Sequence, residues 1–240
     1  SAELLIKLGI GAFKIASSDT NNLPFIKKLV EKEIPILLST AMSTFEEVKE
    51  AVNIFIDNNF TKYAIFQCTG NYPAYLNDSN LKVINTYKNN FSCIVGYSDH
   101  TPDFVNPIAA TALGVKIYEK HFTLDKSLPG PDHRMSLEEK DLSLTIKLIR
   151  ETELALGSAE KFVLKSEEEN RLKLRKSIVS KKKISKGQKI TNDFISVKRP
   201  GTGIPPKYLN SVLNNIATQE IPKDIPLEYD MLLKKIDHSQ

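Results

Sequence analysis

Five apolar runs, each closed by a polar cluster, constrain the fold of this chain more than any other feature. They are GAFKIAS (11–17), IPILLST (34–40), KYAIFQCT (62–69), SCIVGYSD (92–99) and VKIYEKH (115–121). Their starts recur every 23 to 30 residues, the length of a βα unit rather than of a helical repeat. Helical patterns lie between them. NLPFIKKLVEKE carries Pro24 early, STFEEVKEAVNIFIDNN opens on a Ser43 or Thr44 cap with Glu46 and Glu47 in its first turn, and SNLKVINTYKNN follows the third run. Near-continuous apolar strands buried on both faces predict a parallel sheet covered by helices.

The ends of the runs decide between architectures. Lys14 with Ser17, Ser39 with Thr40, Gln67 with Thr69, Ser98 to His100 and Glu119 to His121 all stand at C-terminal strand ends. A (β/α)8 barrel builds its active site in this way, from the ends of several successive strands. A doubly wound sheet uses the ends near its switch point and usually a Gly-rich first turn, which is absent here. The expected fold is therefore α/β, a partial TIM-type barrel made of its last five βα units. Eight strands close such a barrel, so the seam should expose sheet edges.

After the fifth run, LEEKDLSLTIKLIRETELALG (137–157) predicts a long amphipathic helix ending at Gly157. Leu142, Ile146, Ile149 and Leu154 form its apolar stripe, and Ser136 with Glu139 fits a capping box. Residues 158–174 are highly charged and read as a linker with some helix. From 175 to 240, short β-like runs alternate with Lys-Gly-Gln and Pro-Gly turns, the pattern of a small β-rich domain. The domain expectation is thus 1–157, a linker over 158–174, and 175–240.

Bulk properties exclude several partners. The net charge is only +4, and much of the excess sits in Arg171–Lys189, so no chain-wide nucleic-acid footprint is expected. Lys181 to Lys183 reads as a solvated face. No apolar run approaches the roughly 20 residues of a membrane span, and no signal peptide is visible. Cys68 and Cys93 lie in apolar runs without metal-type spacing, which suits free buried thiols and a cytoplasmic protein.

Two histidines carry the sharpest chemistry. The runs ending at His100 and His121 flank DFVNPIAATALG, a helix, so the three make one βαβ unit with parallel strands. Topology then brings the two imidazoles together, although 21 positions separate them. Neutral imidazoles on neighbouring strands suit a divalent ion, with another carboxylate or water completing the shell; Asp99 and Glu119 flank them. Each could otherwise be an ordinary hydrogen-bonded histidine. Lys14, Ser17, Ser39, Thr69 and Ser98 could form an anion pocket, since a lysine inside an apolar run needs a partner. Asp132, in the turn-rich LPGPDH loop, could bind a hydroxylated ligand or act as a base, with His133 beside it at the surface. Arg199, in KRPGTGIPP, either presents its side chain or merely closes a turn.

Taken together, KIASSD, LLSTAMS, QCTGNYP, GYSDHT, EKHFTLD, GPDH and KRPGTGI resemble the sialic acid synthase family, in the family's order and across essentially the whole chain. GPDH followed by RMSLE looks more like the sialic and legionaminic branch than the pseudaminic one. The resemblance implies a barrel followed by an antifreeze-like (SAF) domain. It also implies condensation of phosphoenolpyruvate with an open-chain N-acylated mannosamine-type sugar, releasing phosphate: N-acetylneuraminate synthase, with a legionaminate synthase using a 2,4-diacetamido sugar as the alternative. By that resemblance His100 and His121 hold a divalent metal, Mn²⁺ before Mg²⁺, that polarises the sugar aldehyde. Lys14, Ser17, Ser39, Thr69 and Ser98 hold phosphoenolpyruvate, and Tyr72 and Asp132 face the sugar. Arg199 reaches the barrel of a partner subunit, which implies a domain-swapped homodimer.

Three departures accompany the resemblance. The family begins with three more βα units, so this chain resembles an N-terminally truncated synthase. Gly70 stands where many members have an asparagine, and the tail domain's Gly-Lys is replaced around Asn214-Asn215. Two further readings therefore stand beside the enzyme: a non-catalytic sugar- or partner-binding remnant, and another metal-dependent aldolase-type lyase sharing only the barrel.

Overall fold

The computed structural model describes residues 2–236; residues 237–240, the end of the expected tail domain, lie outside the described residues. The chain forms two compact units, residues 1–158 and 159–240.

In the first unit, five strands alternate with helices. The order is α1 (Ala2–Lys7), β1 (Phe13–Ile15), α2 (Leu23–Val30), β2 (Ile36–Ser39), α3 (Phe45–Asp57), β3 (Tyr63–Cys68), α4 (Val83–Asn90), β4 (Ile94–Asp99), α5 (Val105–Ala112), β5 (Ile117–Lys120) and α6 (Glu139–Leu156). The strands make one all-parallel sheet in sequence order, curled into a half barrel. Each of the five apolar runs is a strand.

Alternation along the strands sorts side chains into two faces. Phe13, Ile15, Ile36, Leu38, Ile65, Val95 and Tyr97 join Ile26, Leu29, Val48, Val52, Phe55 and Ile84 of the helices in one buried core. The opposite, concave face is read in rungs across the register. Lys14 pairs with Leu37 and Leu37 with Ala64; Ser39 pairs with Phe66, Phe66 with Gly96 and Gly96 with Ile117; Cys68 pairs with Ser98 and Ser98 with Glu119. Polarity thus rises toward the C-terminal strand ends. Gly96 is required by a close approach: a Cβ there would stand 2.7 Å from Phe66 Cε1 and 3.0 Å from the Ile117 carbonyl oxygen.

Local signals explain the helix ends. Thr44, not Ser43, caps α3, and Glu47 returns the contact to the Thr44 amide at 2.7 Å, completing a capping box. Helix α6 departs from expectation at its start. Glu138 is its N-cap residue and makes no side-chain cap, while Ser136 Oγ donates to the Asp132 carbonyl at 2.7 Å. Its stripe is only partly covered too: Thr145 is its one buried residue, and Ile146 and Leu154 stand 50% and 81% exposed. The helix ends at Gly157, whose φ of +53° favours glycine.

The second unit contains α7 (Glu168–Leu174), an antiparallel pair β6 (Ser177–Ser180) and β7 (Ile195–Lys198), and the short α8 (Leu209–Val212). Single bridges Ile184 to Ile221, Lys189 to Ile216 and Ala217 to Leu232 extend the β character. Its own core gathers Ile178, Ile184, Ile190, Ile195, Ile204, Val212, Ile221 and Leu227. The Arg199–Pro200 peptide is cis, and Gly201 donates to the Leu172 carbonyl at 2.7 Å. No helix among the described residues is long and apolar enough to cross a membrane.

Candidate active site at the carboxyl ends of the strands

A cavity of about 210 Å³ opens at the C-terminal ends of the five strands. Lys14, Ser17, Ser39, Ser98, His100 and His121 line it, with Tyr72, Cys68 and Glu119. Parallel topology alone gathers them, because each strand delivers its last inward-facing residues to the same end.

At the β1–β2 side, Lys14 Nζ donates to Ser39 Oγ at 2.5 Å, and Ser17 Oγ accepts from the Ala41 amide at 2.9 Å. Lys14 Nζ also stands 3.4 Å from Glu119 Oε2, and the other oxygen of that carboxylate accepts from Ser98 Oγ at 2.7 Å. One cation and three hydroxyls thus converge on the cavity and suit a phosphate or carboxylate. Glu119 closes this ring across the sheet. The sequence identified it only as a neighbour of His121. Its parity with Lys14 and Ser98 was the available signal.

The histidines stand one residue past the ends of β4 and β5. Their ring centroids are 5.4 Å apart at 70°, and Tyr72 packs against both, at 4.2 Å from His100 and 5.7 Å from His121. His100 Nδ1 lies 2.7 Å from the Thr69 carbonyl. A carbonyl only accepts, so Nδ1 carries the proton and Nε2 keeps its lone pair. Burial holds the His100 pKa below its usual value, despite the opposing contact with Thr69. His121 Nδ1 faces Asp132 Oδ2 at 3.6 Å, just beyond hydrogen-bond distance. The donor set therefore fits a divalent ion bound through two neutral imidazoles, with water or substrate supplying the remaining positions. Among the described residues no group of three or more His, Cys, Asp or Glu side chains forms a metal shell.

Two expected residues of the first unit, Thr69 and Asp132, do not line the cavity. Thr69 Oγ1 donates to the Asp78 carbonyl at 2.9 Å, and its backbone, not its hydroxyl, meets His100. Arg199 is exposed in the second unit. Asp99, flanking His100 in sequence, faces the other side of the sheet, where it is fully buried. His133 Nδ1 lies 2.7 Å from Thr123 Oγ1 and so secures the loop that carries Asp132.

Comparison with known proteins places this geometry. A family model described as the NeuB family matches residues 1–161, and a SAF domain model matches residues 175–233. The chain is 41% identical over 226 residues to the N,N'-diacetyllegionaminic acid synthase of Campylobacter jejuni, covering 93% of this chain and 68% of that protein. It is 37% identical over 222 residues to the N-acetylneuraminate-9-phosphate synthase of Mus musculus, covering 92% and 61%. Among solved structures, the spore coat polysaccharide biosynthesis protein SpsE of Bacillus subtilis is similar at 34% identity with a TM-score of 0.62, over 98% of this chain and 71% of that one. The chain thus spans roughly two thirds of the length of these relatives.

Proposed function

This chain belongs to the NeuB family and carries a SAF domain, and on that premise we propose that its barrel site performs a sialic-acid-type synthase reaction. The substrates in this reading are phosphoenolpyruvate and an open-chain N-acylated mannosamine-type sugar, with N-acetylmannosamine as the acceptor. The observation that carries it is one cavity holding Lys14, the Ser39 and Ser98 hydroxyls and both histidines.

The chain's own groups divide the work. Lys14, Ser17, Ser39 and Ser98 bind the phosphate and carboxylate of phosphoenolpyruvate, the lysine supplying charge and the hydroxyls direction. Binding then requires Lys14 to exchange part of its contact with Glu119 for the incoming anion. Tyr72 covers the histidine pair and, with Asp132, faces the sugar. His100 and His121 would hold a divalent ion, Mn²⁺ in this reading, which when bound acts as a Lewis acid on the aldehyde. In the overall reaction the enol carbon bonds to the aldehyde carbon and the aldehyde oxygen gains a proton. Water adds to C2, giving up a proton, and phosphate leaves with C–O cleavage. Arg199 is assigned to the sugar N-acyl group in the cavity of a second copy.

The test is phosphate release from phosphoenolpyruvate with N-acetylmannosamine and Mn²⁺. Sugar-dependent release that disappears in Lys14→Ala and His121→Ala is the expected result, with circular dichroism of both variants unchanged. Absence of release from the chain alone, and from the chain supplemented with the first three βα units of a full-length relative, overturns the proposal.

A further inference from the structure

Behind the histidine pair, on the helix side of the sheet, lies a buried ion pair that the reaction does not use. Asp99 and Lys120 are register partners on β4 and β5, and the next residue on each strand is His100 and His121. Their side chains are 0% and 3% exposed, with Lys120 Nζ 3.4 Å from Asp99 Oδ2. Asp99 Oδ1 accepts from the Thr101 amide at 2.9 Å and from Thr101 Oγ1 at 2.8 Å, and Asn106 Nδ2 approaches it at 3.4 Å. Asp99 Oδ2 accepts from the Tyr118 hydroxyl at 2.8 Å. Lys120 Nζ also donates to the Thr101 carbonyl. Both neighbours of His100 and the residue before His121 are thereby joined in one network.

Buried ion pairs are poor stabilisers, because desolvating both charges costs about as much as their attraction returns. What such a pair can supply is a unique alignment. A one-residue slip of β5 against β4 would turn Lys120 into the cavity and His121 toward the helices. Strand ends fray, and each histidine stands one residue past its strand, where the pairing of β4 with β5 has ended; beyond it His121 is held by the single bridge of Phe122 to Leu137. We propose that Asp99 and Lys120 are positioning residues that fix the separation and orientation of His100 and His121. The inference rests on the metal-binding reading of that pair for its meaning, and its test separates the two.

The experiment compares Asp99→Asn, Lys120→Met and Tyr118→Phe with Leu29→Ala, a core truncation on α2 that lowers stability without touching β4 or β5. Histidine side-chain ¹⁵N spectra of the metal-free protein report the His100 tautomer, and calorimetry reports Mn²⁺ affinity. Asp99→Asn and Lys120→Met should lose the single Nδ1–H signature of His100 and bind Mn²⁺ at least tenfold more weakly. Tyr118→Phe, which keeps both charges should the other variants not fold, should weaken binding by about threefold, a fraction of the worth of one hydrogen bond to a buried carboxylate, because only part of that loss reaches the histidines. Leu29→Ala should retain both parental properties. Parental spectra and affinity within twofold in all three network variants would overturn the proposal, as would equal losses in Leu29→Ala. Failure of the parent itself to bind Mn²⁺ would count against the functional reading, while the tautomer signal would still decide the positioning role.

Discussion

Gly96 offers the most direct check on how the sheet supports the site. It lies opposite Phe66 on β3, and a Cβ at position 96 would meet that ring at 2.7 and 2.8 Å on one side and the Ile117 carbonyl at 3.0 Å on the other. Phe66 is fully buried, so the ring has nowhere to swing. Overpacking of this sort costs ~1–3 kcal/mol. In a protein of this size that corresponds to a fall in Tm of roughly 2–12 °C for Gly96→Ala. Urea titration should show a lower midpoint at unchanged m-value. Phe66→Leu removes the obstructing ring edge, so in its background Gly96→Ala should cost less, with a coupling of at least ~0.5 kcal/mol. The displacement should also reach the cavity, because Lys14 Nζ lies 5.3 Å above the Phe66 ring centroid. KM for phosphoenolpyruvate should therefore rise in Gly96→Ala. A Gly96→Ala variant within about 0.5 kcal/mol of the parent would refute the reasoning. So would strict additivity with Phe66→Leu.

Other outcomes follow from burial and charge. Phe55 is fully buried and stacks on Tyr63 at 4.4 Å, so Phe55→Ala should cost ~3–5 kcal/mol by chemical denaturation; a loss below about 1 kcal/mol would contradict its central place in the core. Burial lowers the His100 pKa, so between the folded value and the ordinary 6.5 the unfolded chain binds more protons than the native one. Stability should therefore be full above about pH 6.5 and decline as pH falls through that value toward the folded pKa. His100→Gln should flatten this slope in urea titrations at stepped pH; an unchanged slope would remove His100 as its source. Arg199→Ala should leave both units folded by circular dichroism and raise KM for the sugar more than KM for phosphoenolpyruvate. Equal effects on both substrates would argue against its assignment to the N-acyl group.

Much of the barrel segment could be read from the chain because its strands are buried on both faces and therefore apolar almost throughout. IPILLST and KYAIFQCT leave little else to fold into, and the strand ends held the chemistry where parallel topology collects it. Register was less visible. Asp99 and His100 are adjacent in GYSDH, and only the period of two puts one with the helices and the other in the cavity. Counting that parity from Ser98 would have separated them and paired Glu119 with Lys14. Thr69 points away from the cavity by the same rule. It follows Cys68, which lines the cavity, so the period of two turns it away, and the Asp78 carbonyl captures its hydroxyl. Ser136 gives up its capping role to a local competitor, the Asp132 carbonyl four residues earlier. The exposed Ile146 and Leu154 show the limit of periodicity, which specifies an apolar face without specifying what covers it.

The contact between His100 and the segment after β3 runs in both directions: the imidazole donates to the Thr69 carbonyl, and the His100 carbonyl accepts from the Ala74 amide at 2.9 Å. The loop between them is clasped by the same residue that faces the cavity. Opening of this loop would break both contacts, so solvent exchange of the Ala74 amide proton should report how firmly the loop is held against His100. A ligand engaging His100 would slow exchange at Ala74, and protonation of the ring would register there as well. The loop is in this sense an instrument for observing the site.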